Sequence, residues 1–90
     1  MKIYSHKEEN MGKLCNLANL KVGESARVVA LNVQNKEIRR HLLDMGITRG
    51  VVVQVKKIAP MGDPIDIELR DYELCLRKAD LSQIEAEVID

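Results

Sequence analysis

The chain has no phenylalanine, no tryptophan and only two tyrosines, Tyr4 and Tyr72. A groove for proline-rich peptides needs aromatic walls, and a surface for single-stranded nucleic acid needs aromatic platforms on which bases stack. Neither can be built from this composition. Net charge is lacking as well, because 14 Lys and Arg are matched by 14 Asp and Glu. The basic excess with which a nucleic-acid binder displaces phosphate counterions is therefore missing. The two cysteines, Cys15 and Cys75, stand far outside any C-x-x-C spacing. No apolar run approaches the roughly 18–20 residues of a membrane span, and the opening residues lack a signal-peptide core. These absences predict a cytoplasmic protein with reduced thiols, no nucleic-acid ligand and no insertion into a membrane.

Catalytic groupings are equally scarce. His6 falls in the polar opening stretch and His41 on the outer side of a predicted helix. No Ser-His-Asp set, glycine-rich phosphate loop or His-Glu-x-x-His pattern occurs, so the chain reads as a non-enzyme. Cys15, Cys75, His6, His41, Met45 and Met61 are all donors that suit a soft or borderline metal. A structural site, however, wants about four clustered ligands, two of them pinned together by short spacing. That spacing is absent, which predicts no resident metal or cofactor.

What is present is enough for one small domain. Ninety residues, 46% of them hydrophobic, can bury a single modest core. Residues 1–13 read as a loose leader and 14–90 as the folded unit. Leu17 and Leu20 form an apolar lead-in, Val22 to Ser25 a turn, and Ala26–Leu31 a strand with Val28 and Ala30 on one face.

The strongest local signal follows. Asn35 is placed to cap a helix, and Ile38, Leu42 and Met45 recur at i, i+4 and i+7 as an apolar stripe. Gly46 sits where a helix ends at positive φ, with Ile47 folding back onto Leu42, and Gly50 follows in a turn. Beyond it, residues 51–58 are rich in β-branched side chains. Residues 59–64 form a loop with both prolines, presenting Met61. Residues 65–70 alternate as a strand, and Asp71-Tyr72 leads into 73–77, with Leu74 and Leu76 inward and Cys75 outward. A helical turn at 78–83 precedes a closing strand at 84–88. The pattern predicts a mainly β fold: a small antiparallel barrel of about five strands with one inserted α-helix.

Charge is unevenly spread along this pattern. Residues 36–57 carry a net +4, and residues 58–90 a net −6. Neighbouring strands would cancel much of this, whereas separated faces would leave a basic patch. With catalysis and metal binding set aside, the features open to a binding role are Arg39 and Arg40 on the outer helix face and Met61 on the loop.

The run Leu17-x-x-Leu20-x-x-Gly23, the stretch from Arg39 through Asp44-Met45-Gly46-Ile47 to Gly50, Pro60-x-Gly62-Asp63-Pro64, and Leu74-x-Leu76-Arg77 with Leu81 and Ile84 closely resemble the FeoA family. The likeness spans about residues 14–88. Its most specific piece is Arg40 to Ile47 followed by Gly50. The resemblance implies an SH3-like barrel and a non-catalytic role in bacterial ferrous iron uptake. The implied partner is the FeoB permease, through its cytosolic GTPase domain. It leaves room for a weak or transient ferrous ion. The same barrel also resembles the carboxy-terminal domain of iron-dependent repressors, so a stand-alone metal-binding or metal-sensing domain is the alternative. An uncovered barrel edge would further allow self-association of two copies.

Overall fold

The computed structural model describes residues 13–89. Strand β1 (Leu14–Asn16) runs into a 3-10 turn at Leu17–Asn19, and β2 (Ser25–Leu31) leads to helix α1 (Lys36–Asp44). Then come β3 (Val52–Ile58), β4 (Ile65–Leu69), β5 (Tyr72–Leu76), the short helix α2 (Lys78–Leu81) and β6 (Ile84–Val88). The described strands form one antiparallel sheet in the order β1-β6-β2-β3-β4-β5. Its edges, β1 and β5, do not pair with each other. Instead α2 packs against the 3-10 turn, and Leu81 and Leu17, one from each, are fully buried.

The predicted leader lies outside the described residues except for Lys13, whose carbonyl accepts the Val88 N–H at 2.9 Å. That bond extends β1 along β6, and β1 is the strand that sequence patterning passes over. Three residues with an exposed Leu14 and half-buried Cys15 and Asn16 carry no alternation to detect.

One core holds the sheet and the main helix together. Val28, Val53, Val55, Ile67, Leu69, Ile84 and Ala86 point inward from the four strands β2, β3, β4 and β6, and Leu42 and Ile47 enter from the helix and its exit. Alternation explains β4 without remainder: Ile65, Ile67 and Leu69 are buried while Asp66 and Glu68 are half-exposed.

Two bulges break that alternation. In β2 the pairing with β6 steps from Val28↔Ala86 to Ala30↔Glu85, leaving Val29 as the extra residue. The consequence corrects the expected strand face. Ala30 stands opposite the outward Glu85, and Leu31, opposite buried Ile84, takes the inward phase. A second bulge in β3, between Val55 and Lys57, does the same against β4. Tyr72, expected in a connection, opens β5 and pairs with Leu69, so the turn is only Arg70-Asp71, with Arg70 at φ 55°.

Candidate functional site

The helix is anchored at both ends by residues whose local chemistry dictates the geometry. Asn35 caps the start, its Oδ1 accepting the N–H groups of Glu37 at 2.9 Å and Ile38 at 3.1 Å. At the exit Gly46 has φ 100°. The Ile47 N–H reaches the Leu42 carbonyl at 3.0 Å and the Gly46 N–H reaches the Leu43 carbonyl at 3.0 Å. This is the Schellman arrangement, which satisfies carbonyls that would otherwise lack partners. Of the apolar stripe, Leu42 is fully buried, and Ile38 and Met45 are half-buried against the core.

A further fastening comes from a residue that the sequence pattern does not single out. The Tyr72 hydroxyl, reaching over from β5, donates to the Met45 carbonyl. A methyl group added at Gly46 would collide with that same hydroxyl and touch Leu69. Gly46 is thus required twice, for its positive φ and for the approach of Tyr72. Beyond it, Gly50 (φ 91°) donates its N–H to the Val28 carbonyl at 2.8 Å, tying the helix exit back onto β2.

This stitching creates a groove beside the helix. The first half of β2 pairs with β3 on one side and β6 on the other, but no residue beyond Val28 pairs with β3. The vacated side of Val29–Leu31 faces the helix flank, where Arg39 and Leu43, four residues apart, share a face. Arg49 from the turn before β3 completes a groove of about 360 Å³. Leu43 is 38% exposed. The ion pairs found among the described residues are Arg27–Glu87 at 3.8 Å, Lys56–Glu68 at 3.6 Å and Arg77–Asp80 at 3.4 Å. Of these, Lys56–Glu68 joins the basic and acidic stretches, across β3 and β4, while Arg39, Arg40 and Arg49 form no ion pair among the described residues. Arg39 lines the groove; Arg40, its neighbour along the helix, does not.

The third expected binding residue stands apart. Met61, at 93% exposure, tips the loop between β3 and β4. That loop is held at its base by the Ala59 N–H on the Pro64 carbonyl (3.1 Å) and the Gly62 N–H on the Ala59 carbonyl (2.7 Å). The Asp63 carboxylate, accepting the Lys78 N–H at 2.8 Å, pins it to α2. Behind it lies a hollow of about 340 Å³ bordered by Lys57, Asp66 and Cys75.

Donor chemistry does not converge anywhere in this frame. Among the described residues no three of His, Cys, Asp and Glu are grouped so as to hold a metal ion; His6 lies outside them. Both cysteines are free thiols, and both are held above the ordinary thiol range. Burial is the main cause for Cys15, with the Glu24 charge adding and Lys13 opposing. For exposed Cys75 the cause is chiefly a hydrogen bond to Asp66, the residue opposite it on β4, with slight desolvation and the Asp66 and Asp63 charges behind. A thiol kept protonated is a poor metal ligand and a slow nucleophile. No helix of the described residues is long and apolar enough to cross a membrane.

Comparison with known proteins decides the family, because the FeoA domain model matches residues 15–88. The chain belongs to the FeoA family. An FeoA-like protein from Clostridium acetobutylicum, solved by NMR, is 38% identical with a TM-score of 0.80, over 89% of this chain and 92% of that one. An Fe(2+) transport protein A/Fe(2+) transporter FeoB fusion protein from Porphyromonas gingivalis is 34% identical over 74 residues, 81% of this chain. This FeoA chain spans only 8% of that relative's length. The zinc complex of Stenotrophomonas maltophilia FeoA, described as a prokaryotic SH3 domain protein, is 23% identical with a TM-score of 0.71, over 80% of this chain and 88% of that one. The fold is accordingly SH3-like and mainly β, in a family associated with ferrous iron transport.

Proposed function

We propose that this FeoA chain is a non-catalytic accessory of ferrous iron uptake, docking from the cytoplasm on the GTPase part of a FeoB-type permease and regulating it. One observation carries the reading. The P. gingivalis relative joins an Fe(2+) transport protein A to an Fe(2+) transporter FeoB in a single chain. Covalent joining gives two domains an effective concentration of about millimolar when the linker is short and flexible. Arg39 and Arg49 beside α1, which form no ion pair among the described residues, supply a surface suited to such docking.

The test is direct binding of the purified chain to the permease's cytosolic part by calorimetry, beside ferrous iron uptake in cells lacking the chain. Saturable binding and restored uptake are expected. Absence of both would remove the reading, and a tight one-to-one complex with ferrous iron alone would favour metal sensing in its place.

A further inference from the structure

We propose that the groove between α1 and the second half of β2 is the docking surface, and that its occupant is an acidic segment of a partner protein carrying an apolar side chain between its carboxylates. The proposal rests on the docking reading above and gives that reading a place and a chemistry. Three observations converge on it.

The first is charge. Arg39 and Arg49 reach the groove from separate elements, and neither forms an ion pair with a residue described here. Guanidinium groups are rigid forks that match carboxylates two bonds at a time. Two of them flanking one groove select an anionic partner and leave a basic one repelled.

The second is the floor. Between the arginines lie Val29, Ala30, Leu31 and the exposed Leu43, a small apolar strip with a charged rim. Protein interfaces have that layout, with an apolar centre surrounded by polar groups. A bare phosphate would use the arginines and leave the strip wet. The third is construction. The groove exists because β2 loses β3 as a neighbour beyond Val28 and because the Val29 bulge turns Ala30 outward. Leu42, Ile47 and Gly46 hold the helix flank fixed over it. A surface fixed in this way binds without a large ordering cost.

The experiment measures binding of the full chain to the permease's cytosolic part across a salt series, for wild type, R39E/R49E, L43Q and M61S. Amide spectra confirm that each variant is folded. Wild-type binding should weaken as salt rises, R39E/R49E should bind at least about tenfold more weakly, L43Q should also be weakened, and M61S should match wild type. Wild-type affinity in both R39E/R49E and L43Q would overturn the groove while leaving docking itself intact. If the charge-reversed variant fails to fold, R39Q/R49Q and L43Q decide by the same measure. No binding by the wild-type chain would instead defeat the docking reading, and the groove assignment with it. Wild-type binding to a short DNA duplex, lost in R39E/R49E, would reassign the groove to nucleic acid and overturn the proposal.

Discussion

The groove beside α1 and the loop at residues 59–64 both present distinctive exposed groups, yet they are built in opposite ways. The loop is fastened at its base by backbone bonds and by Asp63, and its one large apolar side chain, Met61, stands clear of the molecule. The groove is assembled from three segments, with apolar floor and charged rim side by side. Exposure alone would put the loop first, whereas the proposed docking puts the groove first. A single flexible methionine can adapt to many contacts, whereas two arginines around an apolar strip specify one kind of partner.

Variants that attack the foundation of the groove should have the largest effects. Leu42→Ala, which empties a fully buried position, is expected to cost about 2–5 kcal/mol in chemical denaturation. Gly46→Ala should cost about 1–3 kcal/mol, since it forces a non-glycine residue to φ 100° and displaces the Tyr72 hydroxyl. Gly50→Ala sharpens that result. It has a similar φ, 91°, but open space around it, so its cost should be the smaller, about 1 kcal/mol. Equal losses at the two glycines would mean that Tyr72 yields freely. Tyr72→Phe should lose about 0.5–1.5 kcal/mol with the bond to the Met45 carbonyl.

On the loop side the expected effects are small. Met61→Ser should stay within about 0.5 kcal/mol of wild type. Alkylation of Cys75, followed against pH, should show its midpoint above that of a free thiol, because deprotonation would break the hydrogen bond to Asp66 and bring a thiolate beside two carboxylates. A midpoint at or below the free-thiol value would mark a reactive cysteine and restore interest in metal or redox chemistry there.

The helix and its stop were legible because their causes are local. An Asn cap, an i, i+4, i+7 stripe and a glycine at positive φ all lie within a dozen residues. The alternating strand at 65–69 was legible for the same reason. What escaped depends on partners distant in sequence. The strand β1 exists because β6 offers an edge, and the face of Ala30 is set by a bulge that period-2 reasoning cannot see. The role of Tyr72 rests on an approach to Met45 across 27 positions. The groove belongs to this second class. Arg39 drew notice as an exposed helix residue, but Arg49, counted only as part of a basic stretch, becomes its partner through the Gly46–Gly50 turn. Arg40, adjacent to Arg39 in sequence, does not line the groove.

The central claim, that the groove and not the loop meets the partner, is tested most directly by following backbone amide shifts of the isotope-labelled chain as the permease's cytosolic part is added. The account predicts shifts concentrated at residues 29–31, 39–43 and 49, with residues 60–64 nearly unmoved. Shifts concentrated at 60–64 and Cys75, with the groove silent, would contradict it.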